Sequence, residues 1–159
     1  MEMTPTSPTS DREILTTRIF NAPRELVFKV WTDPKHIDKW WGPRGFSNET
    51  HHMDVRPGGE WRFTMHSTEY GNFANHVAYL EVVPNERLVY DQGDVPENAP
   101  QFRVTVTFED EGEKTRLTMR MVFPTPAARD MVVENFGALD GQKQTLDRLE
   151  AHLEGLINA

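Results

Sequence analysis

The chain has no cysteine among its 159 residues. That excludes a disulfide framework and any thiolate metal site, and makes a reducing, cytoplasmic setting the simplest expectation. It also lacks an apolar run long enough to span a bilayer, and its first dozen positions are rich in Thr, Ser and Pro instead of the apolar residues of a signal core. Residues 1–12 are therefore expected to form a disordered tail. Residues 13–159 are expected to form one domain, long enough to bury most of the unfolded chain's surface around one core. Positive charge is scarce: 17 Lys and Arg stand against 25 Asp and Glu, a formal net charge of −8, with no basic cluster. A phosphate backbone would be repelled, so nucleic acid is not an expected partner, and without a spanning run no membrane association is expected.

What the chain does have is blocks of β-branched and aromatic residues. Ile14, Leu15, Thr16, Thr17, Arg18, Ile19 and Phe20 read as a strand running into an Asn-Ala-Pro turn. Leu26, Val27, Val30 and Trp31 then recur at helical spacing behind Pro23. Pro34 opens a second short helix with Ile37, Trp40 and Trp41 on one side, expected to end at the tryptophans because the residue before Pro43 avoids helical geometry. Strand-like segments broken by turn signals continue as far as Phe123, an antiparallel meander. Beyond Pro126 the period changes, and Met131, Val132, Phe136, Leu139, Leu146, Leu149, Leu153 and Leu156 mark one long helix or two abutting ones interrupted near Gly137 and Gly141. The result is an α+β arrangement in which the last helix alone is long enough to cover the apolar face of the sheet.

The stretches Trp40-Trp41-Gly42-Pro43-Arg44-Gly45-Phe46, His51 to Gly59, Glu81 to Tyr90 and Gln144 to Leu149 together resemble the family of homologues of the activator of heat-shock protein 90 ATPase. That family sits in the SRPBCC or START-like superfamily. The resemblance implies a helix-grip fold: a curved antiparallel sheet of about seven strands, with two short helices after the first strand, wrapped around a long C-terminal helix. It also implies an apolar ligand cavity but no single reaction, because superfamily members include both binding proteins and cyclases or dehydratases. Trp61, Phe63, Met65, Tyr79, Tyr90, Phe102, Met119, Met121, Phe136 and Leu139 are the expected walls.

A three-residue loop at Tyr70-Gly71-Asn72 would set Met65 opposite Val77, Phe63 opposite Tyr79 and Trp61 opposite Glu81, turning Glu81 inward. Period two on the preceding strand would turn His51 inward with Met53 and Val55. A desolvated Glu81 beside His51 has the ingredients of general acid–base catalysis; the structural alternative is that each satisfies a neighbouring polar group. His51 and His52 point to opposite faces and cannot share an ion, and a His66–His76 pair in the same register lacks a third ligand, so no metal or other cofactor is expected. The leading expectation is a binding protein for a hydrophobic small molecule of lipid, polyketide or flavonoid type. A cyclase or dehydratase using Glu81 and His51 is the alternative. Co-chaperone activity ranks last, since the eukaryotic activator carries an additional domain for which this length leaves no room. Self-association as a homodimer is left open by the sequence.

Overall fold

The computed structural model describes residues 9–158. Among these residues, seven strands form one antiparallel sheet in the order β1-β7-β6-β5-β4-β3-β2. The strands are β1 (Glu13–Phe20), β2 (Phe46–Met53), β3 (Glu60–Ser67), β4 (Gly71–Val83), β5 (Arg87–Gly93), β6 (Phe102–Glu111) and β7 (Lys114–Val122). Helices α1 (Arg24–Thr32) and α2 (Pro34–Ile37) come after β1, and α3 (Pro126–Phe136) and α4 (Ala138–Ile157) close the chain. No helix among the described residues is long and apolar enough to cross a membrane.

The part of the expected tail at residues 1–8 lies outside the described residues; residues 9–12 form a turn and bend that lead into β1. The Arg12 guanidinium donates to the Phe123 carbonyl at 2.6 Å, and the Phe123 amide donates back to the Arg12 carbonyl at 2.8 Å. Helix α2 stops at Ile37, short of the tryptophans. Trp40 and Trp41 lie on the next turn, whose amides both reach the Ile37 carbonyl, at 3.2 and 3.0 Å. The C-terminal segment is two helices, because Gly137 adopts left-handed geometry (φ 60°), ending α3 while its own amide bonds the Val132 carbonyl. Gly141, by contrast, lies within α4.

The β3–β4 hairpin turns earlier than expected. Ser67 accepts hydrogen bonds from the Glu69 and Tyr70 amides, fixing the loop as Thr68-Glu69-Tyr70, and Gly71 opens β4 at φ 92°. Met65 therefore pairs with Phe73 instead of Val77, Phe63 with Asn75 and Trp61 with Val77, a slip of four residues. An even slip leaves every side chain on its expected face. Two bulges do change faces, one between Thr50 and His52 on β2 and one between Tyr79 and Glu81 on β4.

The concave face is filled by rings at one end. Trp61 and Phe63 stack at 3.9 Å between centroids, and Trp41 meets Trp61 edge-on at 5.1 Å. Trp31 packs on Trp40 at 5.0 Å and on Trp41 at 5.9 Å. Two indole N–H groups are satisfied inside this cluster, Trp40 by the Val30 carbonyl and Trp61 by Thr50 Oγ1. Leu146, Leu149 and Leu153, buried along one stripe of α4, complete the core.

Candidate functional site

Where the ring cluster ends, the sheet and α4 separate and leave a cleft of about 250 Å³. The sheet contributes Met65, Gln92, Phe102, Met119 and Met121; the helices and the turn after α2 contribute Trp31, Trp41, Gly42, Pro43, Gly137, Ala138, Gly141, Gln142, Thr145 and Leu146. A larger hollow of about 560 Å³ lies outside, between the Arg44–Ser47 segment and the β3–β4 hairpin, but most residues around it are polar or charged, among them Arg44, His66, Thr68, Asn72 and Arg148. The smaller space has the composition of a small-molecule site: apolar walls, three polar side chains and no ionisable group among the described lining residues.

One wall is main chain held from behind. Arg148 on α4 points Nη1 at the carbonyls of Trp41, Gly42, Pro43 and Phe46, at 3.3, 2.8, 3.3 and 3.1 Å, while Nη2 reaches the Lys39 carbonyl at 3.4 Å. Burial lowers the pKa of this guanidinium, which makes no ion pair among the described residues. Gly42 can present its backbone here because it sits at φ 101°; a Cβ at this position would come within 3.0 Å of the Met65 methyl.

Of the expected walls, Met65, Phe102, Met119 and Met121 line the cleft. Trp61, Phe63, Tyr79 and Tyr90 share the concave face but are buried in the core instead, where Trp41 packs edge-on against Trp61 and Phe63. Burial pushes the hydroxyls of Tyr79 and Tyr90 well above the ordinary phenol range; the neighbouring Trp31 side chain partly offsets this at Tyr90. Leu139 faces outward and is half exposed, being next round the helix from Ala138. The side chain of Phe136 lies outside the described residues.

The inward placement of Glu81 and His51 is corrected. The extra residue Leu80 in the β4 bulge reverses the alternation, so Glu81 lies opposite Val89 on the outer face, 45% exposed and ion-paired with Arg87. His51 is itself the extra residue of the β2 bulge; it is exposed and bonds Thr64 Oγ1 at 2.8 Å. Neither lines the cleft, and the acid–base pair does not form. The His66–His76 pairing also fails: His66 bonds Glu49 and Asn72, and His76 bonds Glu60. Among the described residues no group of three or more His, Asp or Glu side chains is placed to hold a metal ion.

Sequence reasoning did not single out Gln142 or Thr145, which belong to the site. Their signal was present: Gln142 lies four residues before Leu146 and Thr145 four before Leu149, polar residues continuing the apolar stripe of α4.

A curved antiparallel sheet closed over its C-terminal helix, with an apolar cleft left between them, defines a helix-grip domain. The chain belongs to the family described as activator of Hsp90 ATPase homolog 1-like protein, whose profile matches residues 21–154. Among solved structures it is similar to protein NE0264 from Nitrosomonas europaea (TM-score 0.84, 25% identity, covering 94% of this chain and 99% of that one). Protein CV1439 from Chromobacterium violaceum is also similar (TM-score 0.76, 25% identity, covering 90% and 97%). Protein Ms6760 from Mycobacterium smegmatis shares the fold (TM-score 0.84, 20% identity, covering 95% and 96%). No curated protein matches the chain.

Proposed function

We propose that this chain binds a hydrophobic small molecule of lipid, polyketide or flavonoid type in the cleft between the sheet and α4. The observation that carries the reading is the unfilled space of about 250 Å³ beside an otherwise close-packed core, walled by three methionines, Phe102, Trp31 and Trp41. Apolar clefts with a few polar groups are typical of small-molecule sites, and thioethers adapt to varied apolar shapes. The absence of cysteine supports a reducing, cytoplasmic setting for the binding reaction.

Thermal melts with flat apolar compounds test the proposal. At a ligand concentration about 100 times Kd the native state gains ~2.7 kcal/mol, or about 8 °C in Tm for a chain of this size. Gly141→Leu supplies the control, since a Cβ at Gly141 meets nothing nearer than Pro43 Cβ at 4.0 Å and a longer side chain would grow into the cleft. The shift should vanish in Gly141→Leu and persist in Gly141→Ala, which should itself be about 0.5–1 kcal/mol more stable through helix propensity. Absence of any ligand-induced shift in the natural protein, or its survival in a folded Gly141→Leu, overturns the reading.

A further inference from the structure

Given the binding role proposed for the cleft, on which this inference rests, its polar groups bear on which apolar molecule it accepts. Gln142 projects from α4 into the apolar wall, and its Nε2 donates to the thioether sulfur of Met119 at 3.1 Å. A thioether is a weak acceptor, and among the described residues the Gln142 amide makes no other hydrogen bond. Thr145 is already committed to the Gly141 carbonyl, at 3.0 Å, and Gln92 leans on Asn75 Oδ1 at 3.3 Å. Gln142 thus has the most to gain from a better acceptor. No ionisable side chain among the described residues lines the cleft, so a charged ligand would enter without a counter-ion, and an anion would also meet a chain of net charge −8. The volume sets a scale as well: an enclosed dry cavity of about 150 Å³ accommodates benzene, and this cleft, open to solvent on one side, measures about 250 Å³.

We infer that the cleft selects an uncharged, flat molecule of roughly two fused rings bearing a carbonyl-type acceptor, which the Gln142 side-chain amide takes over from Met119 and so orients. The sulfur holds the amide in its donating position until the ligand arrives, and the carbonyl replaces a poor acceptor with a good one.

Calorimetric titration of the full chain with three probes matched in size tests this: 2-acetylnaphthalene, its alkene isostere 2-isopropenylnaphthalene, and 2-naphthoate. The ketone should bind about fivefold more tightly than the alkene, the worth of one neutral hydrogen bond. The carboxylate should bind at least ~100-fold more weakly than the ketone, because its charge is desolvated without a partner. In Gln142→Leu the ketone should lose its advantage and bind no more tightly than the alkene; Gln142→Met, with a flexible apolar side chain, provides the same readout should the leucine variant pack poorly. Equal ketone and alkene affinities in the natural protein, a gap that survives both substitutions, or naphthoate binding on a par with the ketone would each overturn the inference and leave the binding role standing. No binding by any of the three would remove that role, and the inference with it.

Discussion

Replacing Arg148 with methionine keeps the apolar stem of the side chain and removes the five guanidinium contacts to the carbonyls of Lys39, Trp41, Gly42, Pro43 and Phe46. Hydrogen bonds from a charged donor contribute about 1.5–3 kcal/mol net when well formed. Here four acceptors share one nitrogen at 2.8–3.3 Å, and the neighbouring surface hollow lets water reach the vacated carbonyls. The contacts therefore should not add, and the expected cost of Arg148→Met is about 2 kcal/mol. For a chain of this length that corresponds to a fall of about 6 °C in Tm. Chemical denaturation monitored by tryptophan fluorescence measures the loss, and hydrogen exchange locates it: the Phe46 amide, bonded to the Pro43 carbonyl at 3.1 Å, should exchange faster while the β6–β7 ladder is unchanged. Arg148→Lys should recover less than half, since one ammonium cannot reproduce a planar fork. A methionine variant within about 0.5 kcal/mol of the natural protein, or full rescue by lysine, would refute the view that this side chain holds the segment in place.

The same geometry sets three further outcomes. Tyr90 buries a hydroxyl that makes no well-formed hydrogen bond, so Tyr90→Phe should be neutral or up to about 1 kcal/mol stabilising in urea unfolding; a loss above ~1 kcal/mol would show a partner of real strength. His152 Nε2 lies 3.0 Å from His36 Nδ1, and burial, then the charges of His36 and Lys39, hold its pKa below the ordinary histidine value, with no carboxylate among those causes. Its proton binds more readily to the unfolded chain, so stability should fall as pH drops from about 6.5 through the lower folded pKa. His66, whose pKa is raised by Asn72 and Glu49, acts in the opposite sense, so the diagnostic is the difference in Tm between His152→Gln and the natural protein. That difference should shift in favour of the variant between pH 7.5 and 5.5 (roughly the range in which histidine titrates), and a flat difference would dismiss the effect. Glu81→Gln removes one member of a half-exposed pair and should change stability by less than about 0.5 kcal/mol, with ligand-induced Tm shifts intact; loss of those shifts would place Glu81 back in the site.

How far residues alone could lead depended on whether a feature leaves a local trace. The β6–β7 hairpin was legible because Phe102, Val104, Val106 and Phe108 alternate against Leu117, Met119 and Met121, and a one-residue error would have turned them all outward. The bulges at His51 and Leu80 were not, since an inserted residue carries no distinctive composition, and each reverses the face of the residues beyond it on its strand. The β3–β4 slip came from Ser67, whose hydroxyl captures two amides and closes the turn ahead of Gly71, the residue that marks a turn in the sequence. Met65, Phe102, Met119 and Met121 were foreseeable as cleft residues from alternation and hydrophobicity. That Trp61 and Phe63 would be sealed off was not, because the ring that packs on both, Trp41, comes from a turn distant along the chain.

The contribution of Gly42, Pro43, Gly137, Ala138 and Gly141 has a consequence for how such a chamber can be retuned. Bare backbone and minimal side chains offer little to vary on that side without refolding the segment, whereas the three methionines opposite can each be exchanged for another apolar residue at modest cost. Under the proposed binding role, changes in ligand preference should therefore arise on the strands and at Gln142 and Thr145 of α4, with the glycine and proline segments serving as an unaltered template.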